Sequence, residues 1–359
     1  MRKRILVIAL VLSASLLILL SLKYRVKNPA TQKNGFARHF LSIKIKEVNR
    51  TKLSDQFLKI CGTTTDNIIL CDGEPGRITI TDKSLKLLKT VQLPIHKINN
   101  IAPVFYTTVD YPKVLILAGQ SKLFIEGNLE TRNYKVTQLH TNSFSNGIVV
   151  TPTSFIMRVM DPANISSHFQ KANLITRTCI RDSNISEKGQ YTAFTYDGKL
   201  NYDPVAKKVF YVADYCNRIK CMDTSLQLLY NAHTIDTVNS PDIQVSEHKG
   251  IISFTKPPFT TNKNISTANG ILFILSALKA DNESIIEFSD NDVIDLYSEM
   301  NGDYLGSIYL PSAHKPVISF QFFNDDTLVV LYPDALVKYL TTQKLSSYCN
   351  KEGIQADSL

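Results

Sequence analysis

The chain has 359 residues, 44% hydrophobic and 20% charged, enough apolar material for a large buried core and too much for a disordered chain. Its formal charge of +8 does not make it a nucleic-acid binder. Arg2, Lys3, Arg4, Lys23, Arg25 and Lys27 are six of the 40 basic residues, and the other 34 stand against 32 acidic ones.

Residues 1–4 form a basic tail, and Ile5 to Leu22 is an uncharged run of 18 residues broken only by Ser13, Ser15 and Ser21. As a helix it reaches about 27 Å, close to the thickness of a hydrocarbon core. It exceeds the usual apolar region of a cleaved signal peptide, and its small-x-small site, Ser13-Ala14-Ser15, lies mid-run. The expectation is an uncleaved transmembrane signal-anchor over 5–22, with a cleaved signal peptide as the alternative, followed by a tether over 23–39. The positive-inside count leans against export, with Lys23, Arg25, Lys27, Lys33 and Arg38 after the span. A short basic tail before a single span is nevertheless the usual export geometry. The body is therefore expected outside the cytoplasm, in a periplasm or at a cell surface.

After Arg38 the chain is a series of short β-branched and aromatic runs between Gly, Asn, Asp and Pro clusters, an all-β pattern. The run Phe40 to Lys46 comes first and has no partner nearby. Phe57–Cys61, Asn67–Cys71, Arg77–Thr81 and Leu85–Val91 make a four-stranded unit. The same order fits Ile101–Leu139, Ile148–Thr192 and Leu200–Thr234, and then Ile251–Leu310 with a polar insertion at Pro257–Asn269. A last unit, from Val317 to Leu340, has three strands. Arg77 to Leu88 returns as Arg218 to Leu229 with seven of twelve positions identical, at an offset of 141, or three periods of 47. A period of 40–50 residues with four strands is that of a β-propeller blade.

Six blades of four antiparallel strands are predicted over 40–348, with Phe40–Lys46 closing the ring and 349–359 as a C-terminal tail. Seven blades, or two stacked β-sandwiches, are the alternatives. With its Arg-Ile-x-x-x-Asp-x-Ser-Leu-x-Leu-Leu echo and blade order, the chain resembles six-bladed propellers of the TolB-like and NHL-like type. That resemblance implies binding modules, scaffold domains and a minority of hydrolases or lactonases, so it selects no activity.

In a propeller the lead-ins to the first strands gather on one rim, where ligands commonly sit. Here they are polar and include Asp55, Asn100, Asn146 and Asp197-Gly198. His-Lys occurs three times, at His96-Lys97, His248-Lys249 and His314-Lys315. A ring of these would hold an anion through ammonium charge and imidazole hydrogen bonds, while solvated loops explain them equally well. No cofactor is predicted. The histidines have no zinc spacing, and Asp290-Asn291-Asp292 lacks the glycine and distal glutamate of a calcium loop. Ca²⁺ or another divalent metal in the channel remains a minor expectation from the propellers the chain resembles. No Gly-x-Ser-x-Gly elbow occurs. Of the six cysteines, Cys216 and Cys221 are the local candidates for a disulfide, with buried thiols as the alternative. The leading expectation is an anchored module binding a protein, a peptide or a small anion, with no nucleic acid. A propeller hydrolase or lactonase with a channel metal and a structural subunit of an envelope complex are the alternatives.

Overall fold

Runs such as Val114-Leu115-Ile116-Leu117-Ala118 and Ile271-Leu272-Phe273-Ile274-Leu275 carry apolar side chains in both alternating directions, and only a strand covered on both faces buries them all. A ring of sheets stacked face to face does this. The computed structural model describes residues 13–15, 33–54, 57–95, 98, 101, 104–248, 251–312, 314–323, 326–345 and 347–348. The predicted span 5–22 falls outside them except for Ser13–Ser15, which is helical. Among the described residues no helix is long and apolar enough to cross a membrane.

The first strand, β1 (Ile45–Lys52), belongs to the last blade. Blade 1 is β2 (Phe57–Thr63), β3 (Asn67–Asp72), β4 (Arg77–Asp82) and β5 (Leu87–Gln92). Blade 2 is β6 (Phe105–Asp110), β7 (Lys113–Ala118), β8 (Leu123–Asn128) and β9 (Tyr134–Gln138). Blade 3 is β10 (Phe144–Thr151), β11 (Ser154–Asp161), β12 (Ser166–Asn173) and β13 (Thr178–Arg181). Helix α1 (Thr192–Thr195) leads into blade 4, made of β14 (Gly198–Asp203), β15 (Lys208–Ala213), β16 (Arg218–Asp223) and β17 (Leu228–His233). A hairpin, β18 (Val245–His248) with β19 (Ile251–Phe254), precedes blade 5. That blade is β20 (Asn262–Ala268), β21 (Ile271–Ser276), β22 (Asn291–Ser298) and β23 (Tyr304–Pro311), with α2 (Ile285–Asp290) between its middle strands. Blade 6 is β24 (Ser319–Phe323), β25 (Thr327–Tyr332), β26 (Ala335–Thr341) and β1. The first strands β2, β6, β10, β14, β20 and β24 touch one another in a ring around the axis.

Six apolar clusters lie between successive blades, one at each junction including that of blade 6 with blade 1. Six junctions mean six blades, which settles the count against seven and against two sandwiches.

The repeated dodecamer is a hairpin-turn device. In blade 1 the Asp82 carboxylate accepts from the Lys86 N–H at 2.9 Å and the Ser84 hydroxyl at 2.7 Å, while the Leu85 N–H reaches the Asp82 carbonyl at 3.0 Å. In blade 4 Asp223 accepts from the Ser225 and Gln227 N–H groups at 2.7 and 2.9 Å. The turn holds Leu85 at φ 61° and Leu226 at φ 63°. A left-handed leucine costs roughly 1–2 kcal/mol. Both side chains are buried between blades, at 0% and 6% exposure, and such burial returns about 1.5–3 kcal/mol.

Two boundaries differ from the sequence expectation. The closing strand is Ile45–Lys52, paired antiparallel with β26 from Ile45↔Thr341 to Lys52↔Ala335, and not Phe40–Lys46. As the outer strand of its blade it is half solvated, so the polar Lys46–Lys52 stretch suits it better than the more apolar run before it. In blade 5 the inner strand is Asn262–Ala268, so Pro257–Asn269 is not an insertion. The inserted piece is the β18–β19 hairpin, and Ile251 belongs to it.

The displaced run does a different job. Residues 34–41 form a strap along the outer edge of blade 5, where the Leu41 N–H donates to the Ser307 carbonyl at 2.9 Å and the Ser307 N–H to the His39 carbonyl at 2.8 Å. Phe40 stacks on Tyr309 with centroids 4.1 Å apart. Gly306 sits at φ 142°, and a Cβ there would come within 2.5 Å of Leu41. Arg38 is the strap's rivet. Its guanidinium reaches both Asp295 oxygens at 2.8 and 3.1 Å, Glu283 at 2.5 Å and the Leu278 carbonyl at 2.9 Å, all out of solvent. The free edge of β23 is thereby covered.

Removing Arg38 leaves two carboxylates without their cation in a dry site. Arg38→Ala is expected to lower the unfolding free energy by about 3–5 kcal/mol, read from guanidinium midpoints. A loss below about 1 kcal/mol would show that the strap does not hold the blade.

Candidate functional site

Antiparallel blades bring the lead-in to each first strand and the turn between its second and third strands to the same rim. On blades 3 to 5 that rim is built around Asp214. Its N–H donates to the Asp197 carbonyl at 2.8 Å, and its own carbonyl accepts from the Thr261 and Asn262 N–H groups at 2.8 and 3.2 Å. The starts of β14 and β20 and the β15–β16 turn are tied at one point. Gly198 is required there, since a Cβ would lie 2.3 Å from the Val212 carbonyl.

Arg158 of β11 fixes the adjoining segment. Its guanidinium donates to the carbonyls of Thr192 and Tyr196 at 2.8 Å, to that of Ala193 at 3.1 Å, to Asp197 Oδ1 at 3.1 Å and to Ser145 Oγ at 3.0 Å. These bonds leave it 3% exposed, while the Asp197 side chain stays 40% exposed. Lys199, on the inner strand β14, is half-exposed and pairs with Asp214 Oδ2 at 2.6 Å. The other Asp214 oxygen is buried and has no hydrogen-bond partner among the described residues. Burial raises the Asp214 pKa, against the pull of the Lys199 ammonium.

Beside these charges stands an aromatic wall that the hairpin completes. Phe254 of β19 meets Phe194 edge-on at 5.7 Å and Tyr215 at 6.3 Å, and remains 36% exposed. The mouth thus offers an exposed acceptor, an exposed donor and an apolar face side by side.

Deeper in the channel, polar side chains stitch the blades. Asn146 Nδ2 donates to the Gly198 carbonyl at 2.8 Å, Asn264 to that of Ile318 at 2.8 Å, and Thr267 to Asn201 Oδ1 at 2.8 Å. On the opposite rim Glu299 is buried, and burial together with the neighbouring Asp203 carboxylate pushes it up to about 8. Only 2% of it is exposed, so Glu299 itself is closed to a ligand.

Of the residues singled out from sequence, Asp55, His96, Lys97, Asn100 and Lys249 lie outside the described residues. Asn146 is a buried stitch. His248 is exposed at the end of the hairpin's first strand, not at the start of an inner strand. His314 is exposed at φ 53°, and Lys315 is committed to Asp334. Cys216 and Cys221 are buried free thiols. Cys216 lies in the turn between β15 and β16, and Cys221 lies within β16. Among the described residues no group of three or more His, Cys, Asp or Glu is placed to hold a metal ion. Lys199, Asp214, Arg158 and Phe254 escaped sequence reading, although the Asp197-Gly198 lead-in beside them did not.

No protein-family model matches the chain, and no curated protein does. Its architecture is similar to a solved member of the DUF4221 family from Bacteroides vulgatus, at 11% identity over 84% of this chain and 99% of that one, with a TM-score of 0.56. It is similar as well to catalytically inactive virginiamycin B lyase from Staphylococcus aureus, solved with quinupristin. There the identity is 13% over 83% of this chain and 99% of that one, with a TM-score of 0.50. At these identities the likeness is one of fold.

Asp214's raised pKa makes its contribution to stability depend on pH. The folded state holds that proton more tightly than the unfolded chain, so its contribution falls as pH climbs from about 4 through the folded pKa. Lys199→Ala raises that pKa further. The variant should match the parent near pH 4 and fall roughly 0.5–1 kcal/mol below it at pH 7, a modest figure because Lys199 is half-solvated. A deficit independent of pH in urea titrations would contradict this.

Proposed function

We propose that the protein is a membrane-anchored binding module whose rim between blades 3 and 5 takes a peptide segment of a partner protein. The observation that carries this is the juxtaposition of the half-exposed Lys199 ammonium, the exposed Asp197 carboxylate and the Phe254 wall. A peptide presents alternating carbonyl acceptors and N–H donors with apolar side chains between them, and this mouth matches all three. Because Lys199 and Arg158 are each paired with a carboxylate, a small anion alone suits the mouth less well. A propeller of the TolB-like or NHL-like kind is part of the same reading.

The anchor is the apolar run at 5–22, with the propeller outside the cytoplasm. The strap supports a definite orientation. Asn34 and Gly35 are held by Asp281, and Asn34 by Thr237, all on loops of the rim that carries Asp214. Eleven residues, 23–33, connect Asn34 to the run, a reach of at most about 40 Å. The peptide-binding rim therefore sits within that distance of the membrane surface.

The test is site-specific photocrosslinking in intact membranes. A benzophenone side chain at Phe254 is compared with one at Val205, which is 91% exposed on the opposite rim. A discrete adduct from position 254 that weakens when Lys199 is also changed to Ala, with none from 205, is expected in a fraction that resists alkaline extraction. Equal adducts from both positions, or none, would overturn the binding site, and release by alkali would overturn the anchor.

A further inference from the structure

The strap that ties down blade 5 starts on a loop that leads directly into exposed apolar side chains. This loop, 277–284 between β21 and α2, is bound to the strap at several points. Asp281 accepts from the Asn34 and Gly35 N–H groups at 2.7 and 3.1 Å, and its own N–H donates to the Phe36 carbonyl at 2.8 Å. Asn282 exchanges two hydrogen bonds with the Arg38 backbone, at 2.9 and 2.8 Å. Helix α2 follows at once, and there Ile285 is 42% and Ile286 67% exposed. The point at which the N-terminal chain reaches the propeller thus lies four residues from two adjacent isoleucines in solvent.

The helix is set by its cap and not by packing. The Ser284 hydroxyl accepts from the Glu287 N–H, the Glu287 carboxylate accepts from the Ser284 N–H, both at 3.1 Å, and none of the six residues of α2 is buried. The isoleucine pair therefore contributes nothing to the core. The charges around it are acidic. Asp281 is bound to the strap, Glu287 is turned back onto the cap, and Asp290 lies about 6 Å behind Ile286 along the helix. Such surroundings suit an apolar phase behind neutral headgroups and not an anionic surface.

Exposed apolar side chains occur on the opposite rim too, but singly. Ile175, Val205 and Met300 belong to turns of three different blades, about 26 Å from this rim by the length of β22.

We propose that the Ile285–Ile286 tip of blade 5 enters the surface of the lipid bilayer and holds the rim of the mouth against it. The proposal rests on the anchoring read from residues 5–22. The eleven residues 23–33 then keep the tip within about 40 Å of the bilayer. At that confinement two isoleucines make a contact that would be too weak to recruit a free protein.

The chain has no tryptophan, so Ile286→Trp sets a single reporter at the tip and Val205→Trp sets one on the opposite rim. Each full-length variant is reconstituted in phosphatidylcholine vesicles, with and without bromine on the acyl chains, and its attachment is read by flotation and alkaline extraction. The reporter at position 286 is expected to lose about half its emission to the brominated lipid, equally at low and high salt, and the one at 205 to lose none. Adding Ile285→Asp should abolish that quenching without detaching the chain. Failure to float, or release by alkali, would overturn the anchor and this contact with it. Firm attachment without quenching at 286 would leave the anchor standing and overturn the contact. If that unquenched reporter is also shielded from acrylamide, its cover is protein, either the run 5–22 or a second copy. Equal quenching at both positions would overturn the orientation.

Discussion

Closure of the ring is the constraint on which everything else in this molecule depends. Middle strands such as Val209–Ala213 and Leu328–Tyr332 are almost wholly buried, so a sheet of this kind is viable only with a neighbour on each face. Blade 6 receives just three strands from the end of the chain, and without β1 its third strand, β26, would be an open edge over an apolar junction. Pairing across some 290 residues of sequence carries a large loop-closure cost in principle, but that cost grows only as the logarithm of length. It is offset by one full ladder and by burial of Ile43, Ile45 and Leu53.

The same economy explains where chemistry is possible. Strand interiors are committed to packing, which leaves the ends of the first strands and the segments between blades. At the mouth, one aspartate backbone ties together three pieces of chain, and one arginine freezes the segment before β14 through four hydrogen bonds. What remains exposed is therefore held in place before any ligand arrives, and rigid presentation reduces the ordering cost of binding. The strap brings Asn34 and Gly35 to this rim as well, so one stretch of chain both reaches the mouth's rim and closes the ring.

Much of the fold was legible in the sequence because a repeat leaves a periodic record. The echo between Arg77–Leu88 and Arg218–Leu229 marks one hairpin turn used twice, three blades apart, and the strands of blades 1, 2 and 4 lie close to where it implies. The closing strand was misplaced by five residues because apolar content favours Phe40–Lys46, whereas an outer strand needs only one dry face. Ile251–Phe254 mimics an inner strand in composition, and its true role emerges only when Asn262 is seen bonding the carbonyls of Ala213 and Cys216. The candidate site was legible only at Asp197-Gly198. Arg158, Lys199, Asp214 and Phe254 come from separate elements and meet only through the ring.

Hydrogen exchange of the full chain, read peptide by peptide, tests the closure most directly. Amides of Ile45–Lys52 should be protected as strongly as those of Ala335–Thr341 and should open with them in a single cooperative step, because the ring has no partly closed state worth populating. Exchange of Ile45–Lys52 within seconds, while blades 1 to 5 stay protected, would mean that the ring is open at blade 6 and that the account of this fold is wrong.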